Sequence, residues 1–236
     1  TNIFAGGTID TERCFLTGYA NLGSFRSPTN SYVRYLADQG YTVTGSHPSY
    51  DWFYNRVNIN ANLGFESYNF LENHYGELAN GEIAMDRILF PELVRLHEQH
   101  KAESDKPYFS FSVTYQGHGP YTTDKNDYGV DYVKPGIYSA ESQNILNNYF
   151  GSIADTNAHL KEFFDHYRAS EDPTVIVLFG DHKPWLGDNS SVYAELGIDL
   201  NYTDPEEGFR NYYGTRYLIW ANDAAKQTLG NTFAGE

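Results

Sequence analysis

The sequence predicts an α/β chain, a three-layer α/β/α sandwich, on three observations. Segments whose apolar residues recur at helical spacing alternate with short β-rich segments, as strands joined by crossover helices require. One of the β-rich segments, TVIVLFG at 174–180, is a continuous apolar run of the kind buried on both faces of a parallel sheet. No repeat, low-complexity tract or charged linker interrupts the 236 residues, so 1–236 reads as a single domain around one sizeable core.

In chain order, NSYVRYLADQG at 30–40 places Tyr32, Val33 and Leu36 at helical spacing and ends on Gly40, a usual helix stop. YTVTGSH at 41–47 follows as a short strand. Asp86 can cap a helix through ILFPELVRLHEQH, after which YFSFSVTYQG at 108–117 is rich in β-formers. A long amphipathic helix covers roughly Glu141 to Arg168, and RYLIWAN at 216–222 reads as the last strand. In open sheets of this kind, ligands gather at the C-terminal ends of the strands.

Composition narrows the function. Sixteen basic against 31 acidic residues give a formal charge of −15, which repels polyanions and argues against nucleic acid as a partner. The lone cysteine, Cys14, excludes an internal disulfide and a cysteine-rich metal site. Twenty-one tyrosines suit carbohydrate-like or glycerol-like ligands when half-exposed, and equally an ordinary tyrosine-rich surface. No stretch of about 18 apolar residues occurs, and TNIFAGGTID lacks the pattern of a signal peptide.

Two segments carry chemistry. GDH at 180–182 ends the apolar run, and Asp181 with His182 offers a carboxylate oxygen and an imidazole nitrogen to a divalent cation. An isolated GDH reads equally well as a turn cap beside a surface histidine. In GGTIDTERCFLTGY at 6–19, paired glycines bring the backbone close to a ligand, and a helix from Ile9 to Leu16 turns its first amides toward Thr8. A threonine hydroxyl becomes a nucleophile when a metal makes it acidic. Taken alone, Thr8 also reads as a helix cap.

Together these segments resemble the sulfatases and their phosphotransferase relatives in the alkaline phosphatase superfamily, whose nucleophile precedes by ten residues the glycine of an LTG element. Here Leu16-Thr17-Gly18 places Thr8 at that position. Sulfatases carry C-x-P-x-R from the nucleophile, where this chain has Thr8, Asp10 and Glu12, and Cys14 comes six places too late to serve. The T-x-x-[ST]-E start resembles the lipoteichoic acid synthase branch. SHPSYDWFYNR at 46–56 is similar to that branch's head-group segment and maps His47, Tyr54 and Arg56 onto substrate-binding positions. TYQGHGPY at 114–121 is similar to its strand-end histidine segment and gives His118 a phosphate contact and a proton-transfer role. A surface ion pair for Arg56 and a turn role for His118 stand beside those readings. The remaining histidines, His74, His97, His100, His159 and His166, read as solvated. Ser49 stands where the branch often has an acidic residue.

The resemblance implies one divalent metal ion, Mn²⁺, held by Thr8, Asp181, His182 and an acidic ligand on a strand upstream of the nucleophile. Only seven residues precede Thr8, so that strand and ligand are expected outside this sequence, with an upstream fragment completing the sheet. It also implies transfer of glycerol phosphate from a phosphatidylglycerol-type lipid donor to a glycolipid or polymer acceptor, through a phospho-threonine intermediate. The implied location is the extracellular face of a bacterial cell membrane, tethered by upstream helices or released by cleavage. A metal-dependent phosphodiesterase, a phosphoethanolamine-type transferase and a non-catalytic glycerol-phosphate-binding remnant are the alternatives.

Overall fold

The computed structural model describes residues 3–20 and 23–230. They form two compact units, one of residues 9–116 and one of residues 1–8 with 117–236.

The first unit is built on a parallel three-stranded sheet. Its chain runs α1 (Thr8–Thr17, whose first residue belongs to the other unit), α2 (Tyr32–Asp38), β1 (Thr42–Ser46), α3 (Arg56–Leu63), β2 (Ser67–Asn69), α4 (Gly76–Leu78), α5 (Asp86–Glu103) and β3 (Tyr108–Ser112). β1 lies between β2 and β3 and is parallel to both. A central position explains why Val43 is fully buried and why Gly45 lacks a side chain: a Cβ there would meet the Tyr68 ring at 2.1 Å. Ser31 caps α2 by accepting from Arg34 N at 3.1 Å, which satisfies one of the amides left over at a helix start. α5 begins one residue away from the sequence expectation. Met85 takes the capping position with extended backbone, and Asp86 is the first helical residue, its amide donating to Gln116 Oε1 at 3.0 Å.

The second unit continues with α6 (Ala140–Arg168), β4 (Val175–Phe179), α7 (Ser191–Glu195), α8 (Glu207–Tyr213), β5 (Tyr217–Ala221) and α9 (Asp223–Thr228). The 29-residue α6 is its spine. Ser139 caps it, and Ile145 and Leu146 enter a core with Leu186, Val192 and Tyr193. Neighbouring Asn147 and Asn148 are also buried, and their amides hold the loop before the helix. Asn147 Oδ1 accepts from Tyr132 N and Val133 N, while Asn148 Nδ2 donates to the carbonyls of Thr122 and Lys125. Buried Asn222 does the same at the far end. It accepts from Thr174 N, donates to the carbonyls of Tyr167, Ser170 and Asp172, and caps α9.

β4 departs from its expected setting. Among the described residues it pairs with β5 alone, antiparallel, and Val175 and Val177 remain 46% and 45% exposed. A continuous apolar run is the pattern of strands covered on both faces in parallel sheets, and here it stands in an antiparallel pair instead. Among the described residues no helix is long and apolar enough to cross a membrane.

Candidate active site

In the unit of β4 and β5, the apolar strand delivers Phe179 to the turn Gly180-Asp181-His182, and the sheet ladder continues into that turn through Gly180 N to Arg216 O. His182 Nδ1 lies 2.7 Å from Lys183 O. A carbonyl only accepts, so Nδ1 carries the proton and Nε2 is left to face the site. Nε2 stands 3.3 Å from Thr8 Oγ1 and 3.2 Å from Asp181 Oδ2. The same Lys183 carbonyl accepts from Ala5 N at 3.1 Å. One backbone oxygen therefore fixes the imidazole and the loop that leads to Thr8. That loop is Ala5, Gly6 and Gly7, all at positive φ, and the chain enters α1 at Thr8.

One imidazole nitrogen thus lies within hydrogen-bonding reach of both a hydroxyl oxygen and a carboxylate oxygen. With neutral imidazole, Nε2 and Asp181 Oδ2 turn lone pairs toward each other, an arrangement that calls for a cation or a proton between them. The spacing suits a metal. Ligand arms of about 2.1 Å set neighbouring donors about 3.0 Å apart in an octahedron and about 3.4 Å apart in a tetrahedron, which brackets 3.2 and 3.3 Å. Among the described residues no group of three or more His, Cys, Asp or Glu side chains is placed to hold a metal. The Thr8 hydroxyl, 3.3 Å from His182 Nε2, is the third candidate donor. His118 belongs to the same unit and is exposed on the turn after Gly117, its Nδ1 paired with Gly119 O.

The other predicted ligand-binding residues lie in the unit of the parallel sheet. His47 follows the last residue of β1, at the C-terminal edge, where its amide donates to Asn69 O and its Nδ1 to Val113 O. It is 4% exposed. Arg56 opens α3 and is 1% exposed, so it is no surface residue. Its Nε and Nη2 meet the two carboxylate oxygens of Glu12 at 3.1 and 2.5 Å, the fork-on-carboxylate geometry that arginine alone provides. Burial opposes the guanidinium charge, but the Glu12 hydrogen bonds and charge outweigh it, and the Arg56 pKa is raised. Its Nη1, also buried, makes no hydrogen bond. The guanidinium stands 5.1 Å from the Tyr54 ring. Tyr54 and Asn55 both sit at φ 57°, strained for residues with a side chain, and such strain persists where the surroundings over-determine it.

Sequence reasoning missed Glu12 as the partner of Arg56. A carboxylate one turn along the helix from Thr8 was the available signal, but nothing local says which of 16 basic residues it meets. All five of the other histidines are half-buried and engaged rather than solvated: His159 lies 3.8 Å from the carboxylates of Asp155 and Glu162, and His166 packs edge-on against Tyr167. His74 Nε2 bonds Glu92 Oε1 at 2.6 Å, and His97 and His100 stack on Tyr108 at the start of β3.

The family model described as Sulfatase matches residues 1–235. The chain belongs to the sulfatase family. This sulfatase domain is 30% identical, over 96% of its length, to a Rhizobium meliloti protein provisionally assigned to cyclic beta-1,2-glucan modification, of which it covers 37%. Among solved structures it is similar to the lipoteichoic acid synthase LtaP of Listeria monocytogenes, with a TM-score of 0.68 at 21% identity, covering 94% of this chain and 54% of that one. The phosphoglycerol transferase of Streptococcus pyogenes, solved with sn-glycerol-1-phosphate, matches with a TM-score of 0.68 at 19% identity, over 95% and 57% of the two chains. The fold is that of the alkaline phosphatase superfamily, as the sequence predicts. The domain spans about a third of the length of the curated relatives it matches.

Proposed function

We propose that this sulfatase domain is a metal-dependent phosphotransferase that moves glycerol phosphate from a phosphatidylglycerol-type lipid to a carbohydrate-bearing acceptor at the cell surface. The observation that carries the reading is the approach of the Thr8 hydroxyl to His182 Nε2, itself 3.2 Å from Asp181 Oδ2, at the end of an apolar strand. The relatives' names support it: one transfers phosphoglycerol, one makes lipoteichoic acid, and one is assigned to a cyclic glucan.

Thr8 Oγ1, His182 Nε2 and Asp181 Oδ2 would hold a divalent cation, Mn²⁺ by family resemblance. When bound it makes the hydroxyl acidic and neutralises phosphoryl charge. Thr8 gives up its proton to solvent and its Oγ1 attacks phosphorus. The Oγ1–P bond forms as the P–O bond to diacylglycerol breaks, leaving glycerophospho-threonine. His118, with Nδ1 turned to Gly119 O, delivers a proton from Nε2 to the departing oxygen. An acceptor hydroxyl then returns a proton to His118 and attacks the same phosphorus, forming the new P–O bond as the Oγ1–P bond breaks, and Thr8 Oγ1 takes a proton back from solvent. His47, Tyr54 and Arg56 take the head-group roles implied by the family pattern. Arg56 brings Nη1, whose two N–H bonds make no hydrogen bond, because Glu12 occupies the Nε and Nη2 edge of its fork.

The test is a covalent trap. Incubation with phosphatidylglycerol and Mn²⁺, acid quench and peptide mapping should show one glycerophosphoryl group on the peptide containing Thr8, absent from Thr8→Ala. Donor turnover by Thr8→Ala at the wild-type rate rejects the mechanism.

A further inference from the structure

Thr8 and His182 are 174 residues apart in the chain, and each is carried by a segment with little stiffness of its own. Thr8 follows Ala5, Gly6 and Gly7, all at positive φ, and Ala5 at φ 56° keeps a conformation that a residue with a Cβ holds only where its surroundings over-determine it. His182 lies in residues 181–187, which belong to no helix or strand. Something outside both segments has to keep them in register.

Tyr193 touches both. Its hydroxyl donates at 2.8 Å to the carbonyl of Pro184, two residues beyond His182. Its ring packs on Phe4, four residues before Thr8, with centroids 5.7 Å apart, and Tyr212 stacks on the same Phe4 ring at 4.2 Å. The neighbouring residues make the direct tie, Ala5 N to Lys183 O at 3.1 Å. Burial raises the pKa of the Tyr193 hydroxyl, so it stays protonated and remains a donor at any working pH.

The bridge is mounted on the core. Tyr193 is 5% exposed and packs with Ile145, Leu146, Leu186 and Val192. Its helix, α7, has only five residues and is too short to be stable alone. Glu195 fixes it by accepting from Ser139 N, Ser139 Oγ and Ser142 Oγ at the start of α6. Packing by itself does not call for a tyrosine here. Phenylalanine would fill the same space, and a buried hydroxyl is unfavourable unless it is bonded, so the bond to the His182 turn is what the hydroxyl adds.

Resting on the phosphotransferase reading above, we infer that Tyr193 is a positioning residue: through its ring on Phe4 and its hydroxyl on Pro184 it holds the Thr8 loop and the His182 turn at the spacing that lets Thr8 Oγ1 and His182 Nε2 serve one metal ion.

Tyr193→Phe keeps the ring and removes only the link to Pro184. Phe4→Leu cuts the link at the other end and keeps the test decisive if Tyr193→Phe does not fold. The first readout needs neither metal nor substrate: in the metal-free wild type the Ala5 amide, bonded to Lys183 O, should be protected from hydrogen exchange, and each variant should speed its exchange at least ten-fold. The second is Mn²⁺ binding by calorimetry, where the Kd should rise about ten-fold in each variant, as expected when the support of a metal ligand is removed. In donor turnover, kcat should fall about ten-fold with KM unchanged, because the nucleophile is displaced while His47, Tyr54 and Arg56 are left as they are. Ile145→Val, which trims the same core, should lower the thermal midpoint comparably and leave Ala5 exchange and Mn²⁺ affinity at wild-type values. Wild-type Ala5 exchange or wild-type Mn²⁺ affinity in Tyr193→Phe overturns the assignment. So does an equal change in Ile145→Val, which would reduce Tyr193 to a core residue. If the wild type binds no Mn²⁺, the metal reading above falls, and the Ala5 exchange then decides the bridge by itself.

Discussion

At Thr8, Asp181 and His182 the polar groups are half-buried and unbalanced, a hydroxyl and a carboxylate crowding the lone-pair side of an imidazole. At Glu12 and Arg56 the charges are almost completely buried and matched, carboxylate to guanidinium through two hydrogen bonds. The first arrangement is incomplete without a ligand. The second is nearly complete without one, and only Arg56 Nη1 is left over. The contrast separates reactivity from scaffolding: changes in the first region should remove activity and spare the fold, and changes in the second should do the reverse or both.

The largest expected effect is at Thr8. Thr8→Ala should lower donor turnover by about 10⁴-fold or more, ~5 kcal/mol of transition-state stabilisation, with an unchanged thermal midpoint. A midpoint that falls with the activity would make Thr8 a structural cap and erase the contrast.

The next effect belongs to the buried pair. Glu12→Ala strands the Arg56 charge in a dry site and should destabilise the domain by about 3 kcal/mol in urea unfolding, since removing one partner of a buried pair exposes the full desolvation cost of the other. Replacing both, as Glu12→Leu with Arg56→Met, should recover much of that loss. If Glu12→Ala is neutral, the pair is not the buried anchor described above.

A smaller change should show both regions at once. Arg56→Lys keeps the charge but loses the fork and Nη1, so donor KM should rise about 10- to 100-fold, roughly 1.4 to 2.7 kcal/mol, together with a lower thermal midpoint. A lower midpoint with unchanged KM would confine Arg56 to scaffolding.

The smallest effect is a pH dependence at a third cluster, Glu92 with Arg95 and His74. Burial works against the Glu92 charge, but hydrogen bonds from Arg95 and His74 outweigh it, and its pKa is lowered. Because the folded state binds that proton less readily than the unfolded chain, the stabilisation is complete above the ordinary glutamate value of about 4.3 and fades as pH falls through the lowered folded value. Glu92→Gln should flatten the acid-side slope of urea midpoint against pH. An unchanged slope removes Glu92 from the acid response.

How far the sequence shows these features follows from how local each one is. The strands at 42–46, 108–112 and 175–179 were legible because β-formers and bounding turn residues sit next to one another in the chain. The spacing from Thr8 to Gly18 and the adjacency of Asp181 and His182 are equally local, and 174 residues separate Thr8 from the imidazole it meets. That meeting came only from resemblance, because no periodicity encodes it. The Glu12–Arg56 pair spans 44 residues and was invisible for the same reason, as was the antiparallel return of β5 onto β4. Asn147 and Asn148 look like ordinary polar positions on a long helix, and their burial becomes evident only with the loop whose backbone they hold.

The central claim is that Thr8, Asp181 and His182 form one metal-activated nucleophile. Mn²⁺ titration of the metal-free domain, followed by calorimetry in the wild type, Asp181→Asn, His182→Gln and Glu12→Gln, tests it without reference to any substrate. The account predicts a single site in the wild type, a loss of affinity of about ten-fold or more in Asp181→Asn and in His182→Gln, and little change in Glu12→Gln. Wild-type affinity in both Asp181→Asn and His182→Gln would contradict it.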